Sequence, residues 1–588
     1  MKKILLVVSL LCMALSLSAI PARPGKITHT QPDGTVITVE IHGDEYCHWV
    51  TDEAGNIVSL DADGYYRPVT TTPEMRRAAR AAGESRRRQD AEARAAVRAN
   101  APVTGQKHYL VILIAFADRS FRVSSPKTAF TNLLNEVGYS RNGATGSARD
   151  YYYDNSNGLF EPVFDVVGPV TLDNDMAYYG ADSGGTGNDI RAGRALYDAC
   201  QKVDADVDFS RYDNDGDGNV DLVFFYYAGY SQAEGASSDA IWPHMSYLYG
   251  MNSRFDGVRV YNYACTSELK GVSGTTMCGI GAACHEFGHA MGLPDMYDTN
   301  YDTDGAAGGL YSYSIMCSGS YNNGSRTPPY FNMQERIFLG WNQESDIVEF
   351  ATGGNYSIPA LNGETQAVYK SPASTSGEYF MYECRARQGW DAYLPGEGLL
   401  VYHIDKSNRQ VGWYTAANLW NWKSYGNMLN SNGSHPCCYL IPAANQSSLN
   451  YTGYESNIPF PYGYGWSAVD SYTPVDWAGE TSTTTFEHIS YASGTVTLTA
   501  NVPPDDISLL GYNFIDNPGS GTYSNNSRFY FNLVTAESNP PSSVAWYYDD
   551  VRKTSSYVTV RTGKHTVRAE LTYADGTTET LILEITVN

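Results

Sequence analysis

The stretch HEFGHAMGLPD, residues 285–295, constrains this chain more than any other segment. An α-helix has about 3.6 residues per turn, so His285 and His289 lie on one helix face and can bind one metal ion together. Glu286 follows the first histidine and projects beside that face, where a general base for a water molecule belongs. Gly292 and Pro294 predict that the helix ends there and that the chain turns back.

The turn after this helix can supply a third metal ligand. Spacing favours Asp295, and Asp298 competes because it also follows Gly292 within reach. Two imidazoles and a carboxylate form a workable zinc set, and three protein ligands leave the fourth position open for water. The sequence therefore predicts a catalytic zinc site with His285, His289 and Asp295 as ligands. The alternative is an ordinary amphipathic helix with two partly buried histidines.

The segment after this turn favours the metal site over that alternative. Ser314-Ile315-Met316 follows a loop rich in Gly and Asp, and it is similar to the Met-turn of metzincin peptidases. We expect Met316 to pack beneath the metal as a hydrophobic floor rather than to bind it. Tyr321 has two interpretations, a hydroxyl that hydrogen-bonds the oxyanion or an ordinary core tyrosine.

The N-terminus has the pattern of an export signal. Two lysines precede an apolar run and small residues, and the predicted signal covers residues 1–19, with the cut near Ser18 or Ala19. The run is too short for a membrane anchor. We therefore expect a secreted or cell-surface protein without a membrane span.

Residues 20–104 are predicted to form a propeptide. Hairpin signals occur in TVITVEIHG and NIVSLDADGYYRPV, and the basic, alanine-rich segment MRRAARAAGESRRRQDAEARAAVRAN follows. Between an export signal and a catalytic domain, this segment indicates a connector with exposed arginines for processing. A solvated helix or a nucleic-acid arm would have the same charge pattern.

Composition narrows the choice of partners. The formal net charge of −24 argues against nucleic acid and favours cation binding. Ten cysteines, of which Cys12 leaves with the signal, are compatible with a few disulfides in an oxidising compartment. The abundance of tyrosine, with glycine and threonine, suggests a strand-rich chain outside the metal-binding helix.

Residues 105–345 are predicted to form an α/β catalytic domain. HYLVILIAFAD has the continuous apolar character of a strand covered on both faces, and DIRAGRALYDACQKV is an amphipathic helix. The segment DNDGDGNVD, residues 213–221, follows this amphipathic helix and precedes the predicted metal-binding helix. It resembles the first nine positions of an EF-hand loop. The sequence predicts a structural calcium site there, against an acidic turn without metal, although position 12 is Phe224; its ligands would be Asp213, Asp215, Asp217, Asn219 and Asp221.

Several motifs together resemble the immune inhibitor A family of secreted bacterial metallopeptidases. They are HEFGHAMGLPDMYD, IWPHM at 241–245, SIMCSGS and PPYFNMQERIFLGW, and the resemblance extends over roughly residues 20–500. It implies zinc on His285, His289 and Asp295, Glu286 as the base, and calcium near the DNDGDG loop. Cys317 departs from the small residue typical of the family.

The rest of the chain is predicted to be β-rich. Short strands separated by turns indicate a β-sandwich over residues 346–502. Pro503 and Pro504 mark a boundary, and residues 503–588 resemble an immunoglobulin-like or PKD-like domain. The predicted fold class is thus multidomain, with a metzincin-like α/β zinc peptidase domain followed by β-sandwich domains.

These features predict a zinc metalloendopeptidase. Its substrates would be proteins or peptides, including host extracellular proteins, and its cofactors would be catalytic Zn²⁺ and structural Ca²⁺. We expect a monomer that binds no nucleic acid. The alternative from another class is a non-catalytic surface adhesin or glycan-binding protein on a peptidase-like scaffold.

Overall fold

The computed structural model describes most of the chain. It covers residues 17–18, 20–45, 47–61, 63–69, 103–182, 189–300, 306–350, 353–362, 367–421, 427–461, 468–502, 541–555, 557–574 and 576–588, with isolated residues between 78 and 85 and between 522 and 531. The described residues form two compact units. One comprises Met1–Phe350 and Asn355–Thr499, and the other comprises Ala351–Gly354 and Ala500–Asn588.

The first strand, β1 (Leu17–Ser18), belongs to the central sheet described below. The next five strands form an antiparallel sheet of their own: β2 (Lys26–Thr30), β3 (Val36–Gly43), β4 (His48–Asp52), β5 (Ile57–Leu60) and β6 (Tyr66–Pro68). The predicted hairpins lie here, because turns with glycine at positive φ, such as those at Gly34 and Gly64, join neighbouring strands. The basic connector lies outside the described residues apart from isolated positions.

A mixed sheet forms the centre of the first unit. The next strands along the chain are β7 (Gly105–Ala115), β8 (Phe160–Thr171), β9 (Asn219–Val220), β10 (Val223–Tyr230), β11 (His244–Tyr247), β12 (Arg254–Phe255), β13 (Val258–Val260) and β14 (Asn262–Leu269). Six strands pair in the order β1-β11-β14-β10-β7-β8, and β9, β12 and β13 form a small separate sheet. Strands β14, β10, β7 and β8 run parallel, whereas β11 is antiparallel to β14, with His244 opposite Cys265.

Helices cover this sheet, and one of them carries the predicted metal ligands. They are α1 (Pro126–Asn135), α2 (Ala148–Asn155), α3 (Met176–Gly180), α4 (Ala192–Val203), α5 (Gly281–Met291), α6 (Asn322–Ser325) and α7 (Met333–Phe338). Strand β10 is buried along its whole length, as expected for a parallel strand covered on both faces. Helix α5 is buried on nearly every side, and Tyr152 of α2 donates a hydrogen bond to the Cys284 carbonyl at 2.6 Å.

Two further sheets complete the first unit. Their strands and short ribbons are β15 (Val348–Glu349), β16 (Gly354–Pro359), β17 (Val368–Pro372), β18 (Glu378–Arg385), β19 (Gly398–Asp405), β20 (Gln410–Val411), β21 (Tyr414–Thr415), β22 (Cys438–Leu440), β23 (Ala468–Tyr472), β24 (Thr485–Ala492) and β25 (Thr495–Asn501), with helix α8 (Ala416–Leu419). The sheet orders are β15-β17-β18-β19-β22 and β16-β25-β24-β23. The Tyr382 and Phe486 rings, 4.7 Å apart, connect the two sheets.

The second unit has its own strands and core. Its strands are β26 (Thr522–Tyr523), β27 (Arg528–Tyr530), β28 (Ser543–Tyr548), β29 (Val551–Lys553), β30 (Tyr557–Thr559), β31 (Gly563–Thr572) and β32 (Thr578–Val587). Five of them pair in the order β26-β32-β31-β28-β29, and β27 pairs with β30. Val567, Ala569 and Leu571 alternate inward from β31, which is the period of a half-buried strand.

Among the described residues, eight cysteines are free thiols and form none of the expected disulfides: Cys200, Cys265, Cys278, Cys284, Cys317, Cys384, Cys437 and Cys438. Cys200 and Cys284, for example, pack in different apolar clusters. Across the described residues, we find no helix with the length and apolarity needed to cross a membrane.

Candidate metal centre

Helix α5 ends where the glycine predicts. Gly292 has a φ of 121°, a backbone conformation that residues other than glycine rarely adopt. Its N–H and that of Leu293 both donate to the Gly288 carbonyl, at 3.0 Å each. The chain therefore reverses immediately after the second histidine, which returns Asp295 toward the helix face.

His285, His289 and Asp295 converge on one point. The two histidine Nε2 atoms are 3.1 Å apart, and Asp295 Oδ1 lies 3.3 Å from Nε2 of His285 and 3.4 Å from Nε2 of His289. All three side chains are buried, with an exposure of 1% or less. Such a set of two imidazoles and one carboxylate leaves one coordination position of a tetrahedral metal open.

Hydrogen bonds orient both imidazoles. The Nδ1 atom of His285 lies 2.7 Å from the Ile315 carbonyl, and that of His289 lies 2.8 Å from the Leu293 carbonyl. A carbonyl oxygen only accepts, so each Nδ1 carries the proton and each Nε2 presents a lone pair. Backbone carbonyls on the Nδ1 side are the usual outer partners of metal-binding histidines.

The electrostatics of this site fit a cation. Asp295 Oδ1 is buried without a hydrogen-bond donor among the described residues. Burial raises the pKa of Asp295, and protonated histidines would lower it well below its ordinary value. With both Nε2 atoms unprotonated, a bound cation would supply that positive charge. Two imidazole lone pairs and an ionised carboxylate oxygen, buried together, are an unfavourable arrangement unless a metal ion lies between them.

Asp298, the competing third ligand, is directed elsewhere. Its Oδ1 accepts the Asn300 N–H at 3.0 Å, and its Oδ2 accepts the Ala307 N–H at 3.3 Å. Asp298 thus caps the loop after the turn, whereas Asp295 faces the histidines. Among the described residues, the groups whose ligand atoms converge are His285, His289 and Asp295, and the acidic loop described below.

Met316 lies against the metal-binding helix. A Cβ atom placed on Gly288 would be 2.9 Å from Met316 Sδ, so this glycine admits the methionine beneath the two histidines. Ser314 supports the same turn, because its hydroxyl accepts the Met316 N–H at 3.0 Å and donates to Glu335 Oε1 at 2.5 Å. Burial raises the pKa of Glu335 to about 7.

Asn427 is a residue of this site that the sequence did not indicate. Its Oδ1 accepts the Asp295 N–H at 2.7 Å, and its Nδ2 donates to Asp295 Oδ2. The two contacts fix both the backbone and the second carboxylate oxygen of Asp295, which turns Oδ1 toward the histidines. The pair is separated by 132 positions. A lone asparagine in a Gly/Ser/Asn-rich loop carries no sequence signal that would have identified it.

Glu286 lies beside the three ligands and is completely buried. Its Oε1 accepts the Ile20 N–H at 2.7 Å, and its Oε2 has no hydrogen-bond partner among the described residues. Burial raises the pKa of Glu286 well above its ordinary value, although the Ile20 N–H opposes the rise. A carboxyl with a raised pKa can hold and release a proton near neutral pH.

The residues after the predicted signal lie over this centre. Trp242 Nε1 donates to the Ile20 carbonyl at 3.0 Å, and the Tyr321 hydroxyl donates to the Pro21 carbonyl at 2.7 Å. The Arg23 N–H donates to the Ala233 carbonyl at 3.0 Å. Upstream, the backbone of β1 pairs antiparallel with edge strand β11, with Ser18 opposite Met245.

The acidic loop brings together three of its five predicted ligands. Asp213, Asp215 and Asp217 offer carboxylate oxygens within 4.8 Å of one another. Asp221 is not part of this group, because its Oδ2 accepts from Asn214 Nδ2 at 2.7 Å beside the sheet. Asn219 bonds to Asp217 through its side-chain amide at 3.0 Å.

Comparisons with known proteins point to one peptidase family. A profile described as the immune inhibitor A peptidase M6 catalytic domain matches residues 106–343. The pre-pro-metalloprotease PrtV of Vibrio cholerae serotype O1 is 28% identical over 242 residues, which covers 35% of this chain and 25% of PrtV. Immune inhibitor A of Bacillus thuringiensis subsp. alesti is 27% identical over 217 residues, covering 32% of this chain and 31% of that protein.

The two relatives match only part of this chain. The chain spans about a quarter of the length of PrtV and about a third of that of immune inhibitor A. A crystal structure of wild-type OgpA from Akkermansia muciniphila aligns over 84% of this chain and 96% of that chain, with 8% identity and a TM-score of 0.21. A TM-score this low carries no argument about the fold.

Proposed function

Residues 106–343 of this chain belong to the immune inhibitor A peptidase M6 family, and on that premise we propose that the protein is a secreted, zinc-dependent endopeptidase. The observation that carries the proposal is the convergence of His285 Nε2, His289 Nε2 and Asp295 Oδ1 within 3.4 Å of one another, beside a buried glutamate. The substrates we propose are extracellular proteins and peptides.

In the proposed mechanism His285, His289 and Asp295 would hold the zinc, which would lower the pKa of a water molecule to about 7 and polarise the substrate carbonyl. Glu286 would act as the base that takes a proton from the attacking water. The same carboxyl then delivers the proton to the nitrogen of the cleaved bond. Glu286 is suited to the second transfer, since its Oε1 already lies 2.7 Å from a main-chain nitrogen, that of Ile20.

The proposal is tested by Glu286→Gln. This variant should bind zinc as tightly as the wild type, because Glu286 is not a ligand, and should lose hydrolysis of casein by at least about 100-fold. Zinc content and casein hydrolysis are measured on the same preparations. Glu136→Gln, at an exposed surface pair with Arg141, is the matched control. All preparations are used after removal of the propeptide. Near-normal hydrolysis by Glu286→Gln contradicts the mechanism, and a zinc-loaded, processed wild type without hydrolysis favours the adhesin alternative.

We also propose that residues 20–104 are a propeptide that keeps the enzyme latent. Ile20 and Pro21 are buried over Glu286, and their carbonyls are bonded to Trp242 and Tyr321. A substrate cannot reach Glu286 while this segment is in place. Removal of the signal near residue 19 would make Ile20 the first residue and its nitrogen an α-amine beside the carboxyl.

A calcium ion in the acidic loop is the last part of the proposal. The convergence of Asp213, Asp215 and Asp217 supports it, since hard carboxylate oxygens suit Ca²⁺. Asp213 already accepts the N–H groups of Gly216 and Gly218, each at 2.9 Å, which fold the loop around it. The role would be structural, because this loop begins at the end of a short helical turn and leads into β9 and β10.

A further inference from the structure

We propose that Trp242 and Tyr321 are positioning residues for the substrate, which bind the main-chain carbonyls of the first and second residues after the bond to be cleaved. The inference rests on the proposed peptidase function. It deepens that function, because it names the part of the substrate that this side of the cleft recognises. Both side chains donate hydrogen bonds to the Ile20–Pro21 segment.

The Ile20–Pro21 segment lies in the register of a substrate. The nitrogen that a peptidase must protonate belongs to the first residue after the cleaved bond, and Ile20 N is the nitrogen 2.7 Å from Glu286 Oε1. Upstream, the chain pairs antiparallel with β11, as an extended substrate adds to a sheet edge. Ile20 therefore occupies the position of the first residue after the cleaved bond, and Pro21 occupies the second.

Trp242 is held in place to donate to the first carbonyl. Its ring is 1% exposed and stacks on His48 with a centroid distance of 4.2 Å, and its backbone N–H donates to Asp189 Oδ2 at 2.9 Å. The indole N–H can only donate a hydrogen bond, so its partner must be an acceptor such as a main-chain carbonyl. At 3.0 Å from the Ile20 oxygen, it makes a normal hydrogen bond.

Tyr321 provides the second donor. Its hydroxyl lies 2.7 Å from the Pro21 oxygen, although the two residues are 300 positions apart. Burial raises the pKa of Tyr321 well above its ordinary value, and the neighbouring Glu234 adds to the rise, so the phenol stays protonated. The sequence left two interpretations open for Tyr321, a hydrogen bond to the oxyanion or an ordinary core tyrosine. The contact with Pro21 points to a role that is neither of these, in which the hydroxyl binds a substrate carbonyl beyond the cleaved bond.

The arrangement defines a class of substrate. Two neutral donors bind two successive carbonyls of the main chain, so recognition on this side depends on backbone length and extended shape. A substrate forms both hydrogen bonds only when it carries at least two residues after the cleaved bond, with the second one ending in an amide; a shorter substrate forms only the bond to Trp242. Such a site fits an endopeptidase that accepts varied sequences, and it disfavours removal of single C-terminal residues.

The test uses the full chain after propeptide removal and three fluorogenic peptides with a common N-terminal half. The peptides end, as amides, one, two or three residues beyond the cleaved bond. Tyr321→Phe should lower kcat/KM about 3- to 10-fold for the two longer peptides and leave the shortest unchanged, since a buried neutral hydrogen bond has that value. Trp242→Phe should lower kcat/KM for all three. Tyr151→Phe is the matched control, because its buried hydroxyl also donates to a proline carbonyl, that of Pro329, at 2.8 Å.

A second measurement needs no variant. The wild type is given the longest peptide with the second carbonyl after the cleaved bond replaced by a methylene group, which should reproduce the loss seen for Tyr321→Phe. An equal loss in Tyr321→Phe for all three peptide lengths, or no loss with the methylene peptide, overturns the positioning role while the peptidase proposal stands. No hydrolysis of any peptide by zinc-loaded, processed wild type overturns the peptidase proposal itself.

Discussion

At the residue scale, the metal centre divides into a local part and a distant part. His285, Glu286 and His289 were predictable because helical periodicity alone places them, and Gly292 supplies a helix end that needs no distant contact. The sequence left the choice between Asp295 and Asp298 to spacing. In the structure, Asn427 holds Asp295 from 132 positions away, and no local pattern encodes that contact.

Asn427→Ala should therefore weaken zinc binding without removing a ligand. The change leaves the Asp295 N–H and Oδ2 without their partner, and loss of such an outer contact costs about 10- to 100-fold in metal affinity. Competition with a chromogenic chelator measures the zinc Kd. Asn430→Ala is the control, since it removes bonds to the Met296 and Cys438 carbonyls in the same segment. Equal weakening in both variants would indicate general loosening instead.

At the element scale, a continuous apolar run predicted the buried strand β7, and turn signals predicted the N-terminal hairpins. Pairing order was not accessible, because parallel neighbours such as β10 and β14 are joined through intervening elements. The acidic loop shows the same division. Its first half follows the expected spacing, whereas Asp221 is already part of the run into the sheet and bonds to Asn214.

This loop gives a prediction for calcium. Added Ca²⁺ should raise the Tm of the wild type by several degrees, because a ligand at a hundredfold excess over its Kd stabilises the folded state by about 2.7 kcal/mol. Asp213→Asn should abolish this rise in Tm, since it removes one of the three converging carboxylates. Asp206→Asn, an exposed residue just before the loop, should keep it. Scanning calorimetry with and without Ca²⁺ gives the answer, and an unchanged wild-type Tm contradicts the site.

At the scale of the whole molecule, the N-terminal segment and the metal centre are coupled across 266 positions by the bond from Ile20 to Glu286. The sequence predicted a propeptide from its order along the chain but could not show where it docks. As the proposed propeptide, the N-terminal segment would compete with substrate at an effective concentration of order mM. Most substrates would therefore not displace it until the connector is cut.

Cleavage of the arginine-rich connector should raise casein hydrolysis by about tenfold or more relative to the uncut chain. Replacing residues 20–23 by Gly-Ser residues should make the uncut chain active. The replacement removes the buried apolar side chains of Ile20 and Ala22, which hold the main-chain groups of this segment against Glu286, Trp242 and Tyr321. The same replacement in the exposed turn at 53–56 is the control and should leave the uncut chain silent. Activity that is equal before and after cutting would exclude latency.

Strand β11 of the central sheet, whose outer side pairs with β1 in this structure, has a wider consequence. Strand β11 offers its outer hydrogen-bonding groups only to a chain that lies flat and extended beside Met245 and Ser246. In a helix or an intact hairpin of a substrate protein, the main-chain N–H and C=O groups are already hydrogen-bonded within that protein. Cleavage sites in a substrate protein should thus lie where its fold is locally open, at loops, tails and damaged regions. The positions of these sites would follow local unfolding of the substrate more closely than they follow any sequence motif.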